Sequence, residues 1–253
     1  MEKIALVTGA TSGIGKATAF KLAEAGYSVI ITGRRWNLLA QLEKEIMKIG
    51  NVLALSFDVS NKEQVEHAFS RLPDEWKNIE LLVNNAGLAA GLSPIQNGDI
   101  EDWETMIDTN IKGLLYVTTQ VTPVMIANNH GHIVNLGSIA GKEVYPSGNV
   151  YCATKYAVDA LTKAMRIDLL EHNIKVTSVC PGMVETEFSL VRFKGNKDTA
   201  KKVYDGIEPL KPEDVADVIL FAVTRPAHVN LNDIVIMPTA QASGVIMNRK
   251  KQV

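Results

Sequence analysis

Tyr151 and Lys155 stand four residues apart in the run Val150-Tyr-Cys-Ala-Thr-Lys-Tyr156. On a helix that spacing puts both side chains on one face. Reducing a carbonyl needs a proton donor for the forming alkoxide, and oxidising an alcohol uses the same group as a base. Free tyrosine titrates at about 10, too high for a good base at neutral pH, and a nearby ammonium stabilises the phenolate and lowers that value. None of the other five tyrosines has a lysine four residues on. Ser138 lies thirteen residues before Tyr151 in Asn135-Leu-Gly-Ser-Ile-Ala-Gly141, with a hydroxyl able to hold a substrate oxygen. Taken singly, the pair also fits a helix surface, and the serine fits an N-cap or a turn after a strand. Near the start comes Thr8-Gly-Ala-Thr-Ser-Gly-Ile-Gly15. The combination predicts an enzyme that moves hydride between a nicotinamide and a carbon bearing oxygen.

Gly9, Gly13 and Gly15 follow the first strand-like run directly and open the first helical one, with Thr11, Ser12 and Ile14 between them. Glycine lets backbone turn tightly and approach a pyrophosphate, and a helix N-terminus attracts that anion. The hydroxyls of Thr11 and Ser12 add donors. The second strand-like run ends in Gly33-Arg-Arg35, with no carboxylate until Glu43. An acid at this place would hold a ribose 2′-hydroxyl, whereas two guanidiniums suit a 2′-phosphate. Arg34 and Arg35 therefore predict NADP over NAD, against the plainer reading of a basic turn facing solvent.

Short apolar, β-branched runs at 4–8, 29–32, 52–57, 81–84, 133–136, 176–180 and 234–237 alternate with helical patterns at 14–24, 36–49, 62–72, 103–125, 151–171 and 213–223. Such runs between helices predict a parallel sheet buried on both faces. Ser60-Asn-Lys-Glu63 reads as a capping box for the third helix, and Pro212 suits the first turn of the last. The expected fold is a single Rossmann-type α/β domain over 1–253, doubly wound, with about seven strands. One polar, mixed stretch at 183–211 is left as an insertion placed to cover a substrate. Within it Arg192 sits between Val191 and Phe193 and is the one cation with a forked head. It is a candidate anchor for a substrate carboxylate, or else an exposed loop arginine.

A chain of 253 residues can bury a large core, and 46% hydrophobic with 21% charged residues is ordinary for a soluble globule. A net charge of −2 gives no reason to expect nucleic acid or an anionic membrane as partner. The basic runs Lys201-Lys202 and Arg249-Lys250-Lys251 read as solvated faces or tail. Two cysteines, Cys152 and Cys180, make no disulfide framework and suggest a reducing compartment. Met1-Glu-Lys leads straight into a strand, without the form of a signal peptide, and no apolar stretch reaches membrane-spanning length. The expected setting is the cytoplasm. A Gly-x-Ser-x-Gly elbow fails at Ser138 because Leu136 stands two residues before it. His130 and His132 flank a turn without a third ligand nearby, so no metal is expected.

With these residues in view, the chain resembles the short-chain dehydrogenases/reductases. The resemblance rests on 8–15, Asp58-Val59, Asn84-Asn-Ala-Gly87, Asn110, Ser138, Tyr151-x-x-x-Lys155 and Pro181-Gly182, in that family's order. It implies a catalytic set of Asn110, Ser138, Tyr151 and Lys155, with Asn110 in a kinked helix holding a water that links Lys155 to solvent. It places Asp58 and Val59 near the adenine, and Asn85, Ala86 and Gly87 on the adenosine-ribose side, with Asn84 steadying the sheet. Pro181, Gly182, Val184 and Thr186 would embrace the nicotinamide. Within the family the chain is similar to the NADP-dependent 3-hydroxy acid dehydrogenases, also described as serine or allo-threonine dehydrogenases. The segments are 83–91, 101–110, 186–195 and 226–230. This implies oxidation of the β-hydroxyl of a small acid, whose β-keto product can lose carbon dioxide, and a homotetramer. A reductase of bulkier ketones, carbonyls or steroids is the alternative within the class, and a non-catalytic NADPH sensor the alternative outside it.

Overall fold

The computed structural model describes residues 3–250. Met1, Glu2 and Lys251, on which the readings of the leader and the C-terminal basic run partly rest, lie outside the described residues. Seven strands form one sheet: β1 (Ile4–Val7), β2 (Ser28–Gly33), β3 (Val52–Ser56), β4 (Ile79–Asn84), β5 (Gly131–Leu136), β6 (Ile174–Pro181) and β7 (Asp233–Ile236). Every pairing is parallel, in the order β3-β2-β1-β4-β5-β6-β7, as the alternation of runs predicts. Val7 thus lies beside Ile31 on one side and Val83 on the other.

Because successive strand residues point to opposite faces, the apolar runs feed two cores. Ala5, Val7, Val29, Ile31, Leu81 and Val83 face α1 (Gly13–Glu24), α2 (Trp36–Ile46) and α9 (Pro212–Val223), meeting Leu22, Leu42 and Ile219. Leu6, Ile30, Leu82, Ile133 and Val176 face α3 (Lys62–Ser70), α5 (Leu114–Ala127) and α6 (Asn149–Asp168), meeting Val65, Val121 and Met165. A strand covered on both faces has no position for a polar side chain to reach water, hence the unbroken Val/Ile/Leu runs. Two asparagines that enter the strands pair across elements. Asn84 donates to Thr118 on α5 at 3.0 Å and to Asn135 on β5 at 2.9 Å, and Asn135 donates to Thr162 on α6 at 2.9 Å.

Three local expectations are revised. The third helix is capped by Asn61, whose side chain accepts from the Gln64 amide at 2.9 Å. Ser60 instead donates both its amide, at 2.9 Å, and its hydroxyl, at 2.7 Å, to Asp58, because an adjacent carboxylate is the stronger acceptor. The single helix expected over 103–125 is α4 (Ile100–Ile107), a π-helical turn at Asp108–Gly113, and α5, with Pro123 inside it. The stretch 183–211 holds two short helices, α7 (Phe188–Arg192) and α8 (Lys197–Lys202). Its neck is closed where Val184 meets Leu210, with Glu185 N–H to Leu210 C=O at 2.8 Å and Leu210 N–H to Met183 C=O at 2.9 Å. No helix among the described residues is long and apolar enough to cross a membrane.

Candidate active site

The chain winds outward from β1 in both directions, so the carboxyl ends of β1 and β4 flank the switch point where open α/β sheets take ligands. A cleft of about 460 Å³ lies there. After β1 the chain turns through Gly9 at φ +65° and Gly13 at φ +53°, conformations that side chains with a Cβ rarely adopt. Ser12 stands at the N-cap of α1 but makes no side-chain cap bond, leaving the first amides of the helix without a side-chain partner. Gly15 and Asn85 lie behind this turn. Asn85 ties it to β4 by donating to the carbonyls of Thr8 at 2.8 Å and Gly9 at 3.2 Å. The hydroxyl of Thr8 accepts the amides of Asn85 and Ala86 at 3.0 and 2.9 Å. Thr11, Ile14, Asp58, Val59, Ala86, Gly87, Pro181, Gly182, Val184 and Thr186 also line the cleft. The donor set, an uncapped helix start with glycine before it, fits a pyrophosphate.

Arg34 and Arg35 reach the same cleft from the end of β2. Arg34 donates to Asp58 at 3.2 Å, and Arg35 donates to Thr11 at 2.8 Å, Ser12 at 3.0 Å and Glu187 at 2.9 Å. Two cations on the ribose side, half in water, fit a 2′-phosphate.

At the other end of the cleft, α6 presents Tyr151 and Lys155 on its buried face, and β5 delivers Ser138 one loop residue beyond Gly137. Ser138 accepts the Ala140 amide at 3.1 Å, and its hydroxyl also acts on Tyr151, favouring the charged phenolate. Lys155 donates to the Leu136 carbonyl at 2.8 Å, and its Nζ stands 6.0 Å from the centre of the Tyr151 ring. Burial brings the Lys155 ammonium down to about 8. The i, i+4 spacing predicts a depressed phenol, but here burial, followed by the neighbouring Tyr145, pushes Tyr151 above its ordinary value. The groups acting in the other direction are the Arg192 guanidinium and the Ser138 hydroxyl.

Asn110 occupies the π-helical turn and is buried. Its carboxamide closes a two-way pair with Leu88, accepting the amide and donating to the carbonyl, both at 2.8 Å, and donates to Thr154 on α6 at 3.0 Å. A Cβ on Gly87 would lie 3.2 Å from Asn110 Oδ1 and 3.6 Å from Lys155 Nζ, so the backbone at Gly87 faces both.

Arg192, from α7, stands outside the main cleft in a small adjoining cavity that Tyr151 also lines. Its guanidinium carbon is 4.9 Å from the centre of the Tyr151 ring, 5.4 Å from that of Phe188 and 5.7 Å from that of Tyr145. One Nη donates to the Tyr145 hydroxyl at 2.6 Å, and Nε is buried without a partner. Sequence reasoning missed Tyr145, Glu187 and Phe188, whose ring meets Tyr151 edge-on at 5.5 Å. Only tertiary packing brings these three to the site, and no spacing in the sequence marks them. Among the described residues, no group of three or more His, Cys, Asp or Glu is placed to hold a metal ion. His132 is buried against Thr177 at 2.8 Å.

A parallel sheet with a glycine turn, two arginines and a Ser-Tyr-Lys cluster gathered along one edge defines a dinucleotide-dependent oxidoreductase. The short chain dehydrogenase family matches residues 3–196, and the chain belongs to that family. It is 46% identical to the NADP-dependent 3-hydroxy acid dehydrogenase of Salmonella typhimurium, over 97% of this chain and 99% of that one. It is also 46% identical to sulfoacetaldehyde reductase 2 of Chromohalobacter salexigens, over 96% of each. Among solved structures, the closed form of a serine dehydrogenase complexed with NADP+ superposes with a TM-score of 0.93 at 46% identity, covering 98% of this chain and 100% of that one.

Proposed function

We propose that this chain oxidises the 3-hydroxyl of a small hydroxy acid with NADP as hydride acceptor, and runs the reverse reduction with NADPH. The relatives named for 3-hydroxy acids, serine and sulfoacetaldehyde support it, since each name describes a small molecule with an anionic end. The observation that carries the substrate is Arg192, a forked cation set 4.9 Å from the ring that bears the reacting hydroxyl. A guanidinium there can take a carboxylate while the substrate hydroxyl faces Tyr151.

The roles we assign join the geometry of the cleft to what the family resemblance implies. Ser138 holds the substrate oxygen, and Tyr151, which lines the same cleft, takes or gives its proton. Lys155, fixed by Leu136, keeps a cation behind the phenol, and the backbone at Gly87 faces both Lys155 and Asn110, where the family resemblance implies a water linking Lys155 to solvent. Gly9, Thr11, Ser12, Gly13, Ile14 and Gly15 receive the pyrophosphate. Arg34 and Arg35 receive the 2′-phosphate, Asp58, Val59, Asn85, Ala86 and Gly87 the adenosine, and Pro181, Gly182, Val184 and Thr186 the nicotinamide. A nicotinamide held by these residues would supply the hydride acceptor, or in its reduced form the hydride donor, for the carbinol carbon. The reading takes the chain as one domain, with 183–211 covering the substrate.

It also includes a cytoplasmic setting, supported by two free, buried cysteines, and a homotetramer, supported by the unpaired outer edge of β7 with Val235 half exposed. Light scattering on the purified protein checks the second.

The test is a panel followed by NADPH absorbance: L-serine, L-allo-threonine and 3-hydroxypropionate against an uncharged alcohol and a simple ketone. In the Arg192→Met variant, KM for the hydroxy acids rises about tenfold or more, the loss of a charged hydrogen bond, and the uncharged alcohol is little affected. An equal response from both substrate types would move the carboxylate anchor elsewhere.

A further inference from the structure

Glu187, the residue just before α7, sets its carboxylate on Arg35, with Nη1 to Oε2 at 2.9 Å. The other donors of Arg35 turn inward to the glycine turn. Nη2 reaches Thr11 at 2.8 Å and Ser12 at 3.0 Å, and Nε reaches Thr11 at 3.3 Å. The whole fork of Arg35 is therefore engaged within the chain, and one of its partners is already an anion. The pair stands half in water, with side-chain exposures of 48% and 51%, and so remains open to exchange.

The neighbours of Glu187 are seated against the site on both sides. Thr186 packs on the turn so closely that a Cβ on Gly13 would lie 3.1 Å from its methyl group. Phe188 lies edge-on to Tyr151 at 5.5 Å. A phosphate arriving at Arg35 meets a carboxylate bound to the same guanidinium, and two anions so close repel.

We infer that Glu187 is a specificity-determining residue for the cofactor. Its carboxylate competes with the ribose 2′-phosphate for Arg35, so binding NADP(H), but not NAD(H), breaks the Glu187–Arg35 pair that ties the start of α7 to that guanidinium. NAD(H) has no 2′-phosphate and leaves the pair in place. Because α7 also carries Phe188 and Arg192, the exchange links the phosphate site to the cover above Tyr151. This inference rests on the reading of Arg35 as a phosphate ligand.

The experiment is a fluorescence titration of the cofactor-free protein with NADPH and with NADH, for wild type, Glu187→Gln, Arg35→Ala and the double variant. Glutamine keeps the size and hydrogen bonding of Glu187 and removes its charge. In Glu187→Gln the NADPH Kd falls about two- to fivefold, the scale of an exposed ion pair. NADH moves little, and the tightening vanishes when Arg35 is also alanine. An unchanged or weakened NADPH affinity in Glu187→Gln, with Arg35→Ala still selective against NADPH, overturns the competition and leaves the reading of Arg35 standing. Equal tightening of both nucleotides overturns it as a general charge effect. If Arg35→Ala weakens both nucleotides alike, the phosphate reading itself falls, and this inference falls with it.

Discussion

Removing one oxygen from Tyr151 while keeping its ring isolates the proton-transfer role. In Tyr151→Phe the contacts to Phe188 and Arg192 remain, because they are made by the ring. Turnover should fall about a hundredfold or more, the usual contribution of a general acid–base group. NADPH binding, measured separately by fluorescence, should persist. Near-normal turnover in that variant would remove Tyr151 from the chemistry. At this scale Ser138, Tyr151 and Lys155 stood out by type and spacing, whereas Asn110 was expected only from the family resemblance. The proton affinity of Tyr151 was not legible. Spacing shows that a lysine is close, but the depth of burial, which outweighs it, exists only once α6 is packed under α7 and the loop carrying Tyr145.

At the scale of elements, the strands could be read because a sheet covered on both faces favours apolar residues, and β1, apolar and buried throughout, shows it most cleanly. The break between α4 and α5 came only through the resemblance, which puts Asn110 in a kinked helix, because no residue type demands a π-helical turn at Asp108–Gly113; there Asn110 bonds Leu88 and Thr154. The helix α7 could not be seen. It has five residues, and it stands because the Val184–Leu210 neck and the contacts of Arg192 hold it. The turn between β2 and α2 carries its own prediction. Replacing Arg34 and Arg35 together with alanine should weaken NADPH by about ten- to a hundredfold through lost charge-assisted hydrogen bonds, with NADH much less affected. Parallel titrations with the two nucleotides decide it, and a wild-type preference for NADH would show that both arginines merely serve Asp58 and Glu187.

For the whole molecule, acid stability turns on a group outside the catalytic cleft. His132 lies inside β5, fully wrapped by the sheet's neighbours, with Nε2 on Thr177 and Nδ1 without a partner. Burial first, then the nearby Lys175 and His130, hold its imidazole down at about 3. In the unfolded chain the same side chain titrates at about 6.5. The folded state therefore resists a proton that the unfolded state accepts. The stability this involves is intact above about pH 6.5 and is lost as pH falls from there toward about 3. Near about pH 4.5 the loss from this one side chain amounts to about 2–3 kcal/mol. Urea denaturation of wild type and His132→Gln across that range measures it. Glutamine keeps a polar partner for Thr177 but does not titrate, so the variant should be less stable at neutral pH, where a fitted ring is lost, yet lose less on acidification. Parallel stability curves for the two proteins would mean that carboxylates such as Asp58 and Asp159, paired with cations in the fold, carry the acid response instead.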